Sequence, residues 1–167
     1  MSHCDESGFS LIPLTPYAWQ KGRRELTVAK EAGKRLNVIG FWSRQGHFLS
    51  VEQTQNVDLD TIMEVLEALS GTLTLPTVLV LENAPWHTSK RLVKRAAAWE
   101  RKGLFLYFLP AYSPELNRIE LLWKKVKHEW LPLKAWKDWK TFRHELQLVL
   151  DGIGSTIHTN LCIGAYV

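Results

Sequence analysis

The apolar positions of this chain change period along its length, and each change marks an element. Phe9, Leu11 and Ile12 follow Gly8 and predict a strand over residues 4–12, which Pro13 and Pro16 interrupt. Tyr17-Ala18-Trp19 predicts a short return strand ending at Lys21-Gly22, and the charged, poorly periodic stretch Arg23 to Lys34 a loop or hairpin. Leu36 to Trp42 and Gly46 to Val51 predict two strands, joined by the short link Ser43-Arg44-Gln45-Gly46 as a hairpin. Leu59, Ile62, Met63, Leu66 and Leu69 then recur at helical spacing, with Asp58 placed to cap the start and Gly71 the end. Val78 to Leu81 is apolar at successive positions, which suits a central strand covered on both faces. Thr88 or Ser89 can cap a helix through Lys102, where Gly103 ends it, and Leu104 to Leu109 predicts a second buried strand. Ser113-Pro114-Glu115 has the form of a helix start: a capping hydroxyl, a proline in the first turn and an acid at the positive end of the dipole. Ile119, Leu122, Trp123, Val126 and Trp130 keep helical spacing until Pro132, and a last amphipathic helix spans Trp139 to Leu150. Strands first, then alternating helix and strand, then helices predict an α/β fold with one mixed sheet flanked by helices.

Composition narrows the class. At 167 residues with 46% hydrophobic content and eight tryptophans, the chain forms one domain with a real core. No apolar run approaches the roughly 20 residues that span a bilayer, and Met1 to Glu6 lacks a basic-then-apolar leader. No membrane partner is expected, and a cytoplasmic location is. Cys4 and Cys162 match no zinc or redox spacing, so a metal site must be built from oxygen ligands. Charge is unevenly placed: residues 1–85 carry net −3 and residues 86–167 net +7. A basic half joined to clustered acids suits a phosphate-backbone substrate with bound cations, although a solvated basic surface is the common reading of such a half.

The acids carry the candidate chemistry. Glu82 directly follows the Val78–Leu81 strand, and ligands in open α/β sheets bind beyond the carboxyl ends of strands. Glu120 falls at the edge of the apolar face of the helix after the other buried strand, and Asp5 lies on the first strand. Each acid alone reads as an ordinary surface carboxylate. Three at the edges of core elements, if they converge, repel one another unless cations compensate them, and hard oxygen donors suit Mg²⁺ or Mn²⁺.

Three blocks then resemble the catalytic motifs of DDE transposases, and most closely the bacterial insertion-sequence branch of the mariner-like superfamily. They are Asp5-Glu6-Ser7-Gly8-Phe9, Glu82-Asn83-Ala84-Pro85-Trp86-His87-Thr88-Ser89, and Leu109-Pro110-Ala111-Tyr112-Ser113-Pro114-Glu115-Leu116-Asn117-Arg118-Ile119-Glu120-Leu121-Leu122-Trp123. The resemblance implies a single ribonuclease H-like catalytic domain over residues 1–167, without the family's N-terminal helix-turn-helix region. It implies Asp5, Glu82 and Glu120 as catalytic and metal-binding residues, with two Mg²⁺ or Mn²⁺ ions that cleave DNA phosphodiesters and support strand transfer at transposon ends. Expected partners are double-stranded DNA, as transposon ends and target, and a second copy of the chain in the active complex, acting at the bacterial nucleoid. Asn83, His87, Lys90, Arg91, Lys124 and Lys127 are the expected DNA contacts, with Lys94, Arg95 and Lys125 as further phosphate candidates. Asn83 and His87 read equally well as stabilising the turn after the strand. Trp19, Trp42, Trp99 and Trp123 read as core, and Trp86 as a loop aromatic beside the site.

Two positions depart from the family pattern. Arg118 replaces the proline usual before the Ile-Glu pair, and Glu82 stands where the family carries aspartate. One extra methylene moves a carboxylate by about 1 Å, against the roughly 2.0–2.1 Å ligand distances that Mg²⁺ demands. The alternative reading is therefore a weakened or inactive remnant that acts only in DNA binding or assembly. A nuclease acting on RNA–DNA hybrids is compatible with the fold, and the transposase-like blocks argue against it.

Overall fold

A computed structural model describes residues 1–12, 34–82, 89–111 and 113–157. The predicted return strand at 17–19, the loop over 23–33, and Asn83, Trp86, His87 and Cys162 lie outside the described residues.

Five strands form one sheet in the order β3-β2-β1-β4-β5. β1 (Ser2–Ser10) pairs antiparallel with β2 (Arg35–Ser43), and β2 pairs antiparallel with β3 (Phe48–Gln53). β4 (Thr77–Leu81) lies parallel to β1, and β5 (Leu104–Phe108) parallel to β4. Parallel neighbours need a crossover. α1 (Leu59–Thr72) supplies the one into β4 and α2 (Lys90–Arg101) the one into β5. After β5 come a 3₁₀ turn (Pro114–Leu116), α3 (Ile119–Lys125), a π-helical turn (Val126–Trp130), a second 3₁₀ turn (Leu133–Lys137) and α4 (Trp139–Gly152). This is the α/β fold with one mixed sheet flanked by helices that the order of elements predicts, and the ribonuclease H-like class is the one the resemblance implies.

Two apolar clusters sandwich the sheet. Cys4, Ile39, Phe41, Leu79, Leu81 and Leu104 pack with Ile62 and Leu66 of α1 and Leu92 and Trp99 of α2. On the other face Phe9, Leu36, Val38 and Trp42 pack with Ile119, Leu122 and Trp123 of α3 and Phe142, Leu146 and Val149 of α4. Successive strand side chains alternate faces, so Asp5 shares the α3 face with Phe9. Glu67 locks the first layer: its carboxylate accepts from Arg95, from the Trp99 indole N–H and from Lys102.

The caps show where local signals acted alone and where packing overrode them. Asp58 accepts from the Thr61 amide and Ser89 from the Leu92 amide, as their positions predict. Gly103, at φ 88°, ends α2 in the left-handed conformation that glycine permits. Gly71 does not end α1, which runs one residue further to Thr72 with Leu73 extended beyond it. The strand predicted over 4–12 is Ser2–Ser10, leaving Ile12 63% exposed. β5 is not covered on both faces: Phe105 and Tyr107 are 42% and 57% exposed, because α3 and α4 pack over β1 and β2 and stop short of this edge. Ser113 makes no side-chain cap, and α3 begins at Ile119. The five intervening residues include a tight 3₁₀ turn, and Asn117 after it points into the protein rather than continuing a helix.

Candidate metal centre

Parallel pairing of β1 with β4 is the first device that builds the site. Ser2 lies opposite Leu79 and His3 opposite Val80. Continuing that register by two residues sets Asp5 level with Glu82, immediately past the last residue of β4. α3 supplies the third acid, and its seat on the sheet is cut by a glycine. Gly40 pairs with Asp5 across the β1–β2 ladder, and a Cβ there would lie 2.5 Å from Trp123 Cζ2. The bare backbone lets the Trp123 indole lie against the sheet, edge-on to Phe9 and Phe48 at centroid distances of 5.9 and 5.8 Å. With Trp123 docked there, Glu120, one turn earlier on α3, reaches over Asp5.

The three carboxylates converge. One oxygen from each of Asp5, Glu82 and Glu120 lies within 4.8 Å of the others, and all three side chains are partly buried. Burial, then the charges of Glu120 and Glu82, push the Asp5 carboxyl up to about 8, against a weaker opposing hydrogen bond from the Glu6 backbone amide. That is the signature of a site short of positive charge. Hard oxygen donors at this separation fit Mg²⁺ or Mn²⁺. Lys127, half-buried on the π turn, faces the cluster: its desolvation lowers its pKa while Glu120 and Asp5 oppose the fall. Its ammonium sits 5.4 Å from the Phe9 ring centroid. π turns of this kind frequently mark functional sites.

Asn117 ties the site together from below. It is 1% exposed, and its Nδ2 donates to Cys4 O at 3.2 Å and to Glu82 Oε1 at 3.3 Å. His3, two residues before Asp5 and on its face, is buried beside it. Burial holds its imidazole below the usual pKa, against an opposing contact with the Asn117 side chain. Neither ring nitrogen of His3, nor Asn117 Oδ1, completes a hydrogen bond among the described residues.

Of the expected DNA contacts among the described residues, Lys127 stands at the cluster. Lys124 is exposed, one turn after Glu120. Lys90 and Arg91 open α2, and Arg91 is held by Asp60 at 2.6 Å. Arg95 is committed to Glu67 and Lys125 to Glu129. Asn83 and His87 lie outside the described residues. Trp42, Trp99 and Trp123 are core, at 4%, 0% and 2% exposure. Sequence reasoning gave no role to Gly40, Asn117 or His3. The available signal was a lone amide between Leu116 and Arg118 of the third block, at a point where a helix was expected to run through.

Residues 1–143 match the family described as DDE superfamily endonuclease. The chain belongs to that family. A 62-residue stretch is 36% identical to an uncharacterized protein of Sinorhizobium fredii, y4pE/y4sA, and covers 37% of this chain and 42% of that relative. Among solved structures, the fold resembles a Mos1 transposase paired-end complex with left transposon end, with a TM-score of 0.65 at 17% identity over 90% of this chain and 47% of that one. The catalytic domain of Mos1 mariner transposase aligns at a TM-score of 0.57 with 13% identity, covering 90% of this chain and 69% of that domain. A simian T-cell lymphotropic virus intasome chain gives 0.60 at 12% identity, over 96% of this chain and 50% of that one. The chain thus spans less than half of its curated relative, about half of the Mos1 paired-end-complex and intasome chains, and 69% of the Mos1 catalytic domain. No helix among the described residues is long and apolar enough to cross a membrane.

Proposed function

We propose that this DDE endonuclease-family chain is the catalytic domain of a transposase, with residues 1–167 forming one ribonuclease H-like unit. In this reading Asp5, Glu82 and Glu120 hold two Mg²⁺ or Mn²⁺ ions. The observation that carries it is the convergence of three carboxylates from three separate elements, too crowded with negative charge to stay fully ionised alone. A bound cation pair supplies activation of the attacking oxygen and charge stabilisation of the leaving one in phosphodiester cleavage. The protein's part is placement. Asp5 is fixed at mid-strand, Glu82 at a strand end and Glu120 on the docked face of α3, so the donor set is ordered before substrate arrives.

Lys127 stands at the rim of the cluster and is the residue best placed to accept the scissile phosphate. Lys124 extends that basic edge one turn along α3. Lys90 and Arg91 lie at the positive end of the α2 dipole for contacts to flanking backbone, Arg91 exchanging Asp60 for phosphate. Asn83 and His87, in the Glu82 block, complete the proposed DNA contacts. The substrate is double-stranded DNA, first a transposon end and then a target, handled by two copies of the chain in the bacterial cytoplasm. The structures solved as Mos1 complexes with transposon ends, Mn and Mg support this assignment. Glu82 favours a weakened-remnant reading by its extra methylene; its convergence with the other two acids supports an active site.

A nicking assay on supercoiled and transposon-end DNA tests the proposal. Cleavage is expected to require Mn²⁺ or Mg²⁺ and to be abolished in Asp5→Ala and Glu120→Ala. Equal nicking by both variants and the parent would overturn it. A large gain in cleavage on Glu82→Asp would instead establish the remnant reading.

A further inference from the structure

The third block carries a buried polar residue whose side chain bonds across the fold to the first and second blocks. Asn117 is a polar side chain at 1% exposure, and its amide nitrogen bridges two of the three parts of the site: the backbone carbonyl of Cys4, next to Asp5, and the carboxylate of Glu82. Both acceptors lie on the β1–β4 seam. The geometry points to Asn117 as the positioning residue that holds the longer Glu82 side chain in the place of an aspartate, with His3 behind it to orient the amide.

A glutamate following a strand has one more rotatable bond than an aspartate, and a free carboxylate there sweeps a wider arc than a metal site tolerates. An amide N–H on one carboxylate oxygen removes that freedom and leaves the other oxygen available to a metal ion. The amide must itself be aimed, since its oxygen and nitrogen are alike in shape and only hydrogen bonding separates them. Cys4 O accepts from the same Nδ2, which fixes the nitrogen on the Glu82 side. Asn117 Oδ1 then points away, buried and unpaired, and His3 is buried beside it with both ring nitrogens unpaired. Two orphaned polar groups in one buried place are uncommon, and a small rotation that lets a His3 ring N–H donate to Asn117 Oδ1 satisfies both. The break between the 3₁₀ turn and α3 has its cause here as well: Asn117 is extended at φ −89°, ψ 95°, and continuing a helix through it would carry its amide off the seam.

The inference rests on the metal-centre reading above, and the experiment separates the two. Mn²⁺ binding to the full chain is measured by calorimetry or electron paramagnetic resonance for the parent, Asn117→Ala, Glu82→Asp and the double variant, each checked for a cooperative thermal melt. Groups that orient metal ligands typically contribute 10–100-fold in affinity. Asn117→Ala is expected to weaken Mn²⁺ binding at least tenfold beside Glu82 and by less than threefold beside aspartate, because the shorter acid needs no tether. His3→Phe is expected to weaken it severalfold. Equal losses in both backgrounds, or none, overturn the positioning role. Absence of Mn²⁺ binding to the parent overturns the metal centre itself. Should Asn117→Ala not fold, the side-chain amide protons of parent Asn117 carry the test by nuclear magnetic resonance: their shifts should move in Glu82→Gln and stay in Glu120→Gln, and the reverse pattern refutes the tether.

Discussion

Gly40→Ala isolates how a sheet position sets the site's geometry. The new methyl would stand 2.5 Å from Trp123 Cζ2, 2.7 Å from Cη2 and 3.0 Å from Phe48 Cε2. Carbon atoms pack at about 3.5–4.0 Å, so the indole has to retreat by about 1 Å. It has little room: Trp123 is 2% exposed and wedged between Phe9 and Phe48. The displacement passes into α3, which carries Glu120 one turn away. Overpacking of this kind costs about 1–3 kcal/mol. In a domain of this size that is a fall of about 2–4 °C in Tm for each kcal/mol. A 1 Å shift of Glu120 is also half a metal–ligand bond, so Mn²⁺ affinity should fall at least tenfold. Differential scanning calorimetry and Mn²⁺ titration read the two effects on one sample. A normal melt with normal Mn²⁺ affinity would falsify the claim that Gly40 seats α3 and α3 places Glu120.

Other expectations follow from the same structure. Gly71→Ala is the matched contrast: a Cβ there meets nothing within 4 Å inside α1, so it should stabilise the protein by about 0.5–1 kcal/mol in a urea melt, and destabilisation would contradict the helical assignment. Metal-free protein should lose stability as pH rises from 3.8 to about 8, because over that interval the folded Asp5 carboxyl keeps a proton that the unfolded one has lost. Thermal melts in chelator should show this slope in the parent and not in Asp5→Asn, and Mn²⁺ should offset it increasingly at higher pH; parallel profiles for the two proteins would refute it. Glu67, held down to about 2 first by Lys102, then by Trp99 and Arg95, stabilises the fold above its unfolded pKa and loses that contribution as pH falls through its folded value. Glu67→Gln should therefore lower Tm at neutral pH and converge with the parent in strong acid, and a constant difference across the range would contradict the ion-pair account.

Local chemistry that acts within one turn was legible in the sequence. Asp58, Ser89 and Gly103 do what their residue types predict, because each interaction closes within four residues. The three acids were legible for another reason: a carboxylate at the end of an apolar strand or at the edge of an apolar helix face is costly without a partner. Features set by contacts across the chain were not. Ser113-Pro114-Glu115 has every local mark of a helix start, yet the helix waits for Ile119 because Asn117 bonds Cys4, 113 residues away. Gly71 has the residue type of a terminator, yet α1 continues through it to Thr72 and ends with Leu73 extended. The exposure of Phe105 and Tyr107 depends on where α3 and α4 come to rest, which no period in β5 encodes. Gly40 reads as one more strand residue until Trp123 is placed on it.

Anomalous diffraction from a crystal of the chain soaked in Mn²⁺ addresses the central claim most directly. The account predicts manganese density between Asp5, Glu82 and Glu120, with Glu82 still bonded to Asn117. An empty acid cluster beside manganese bound elsewhere would contradict it.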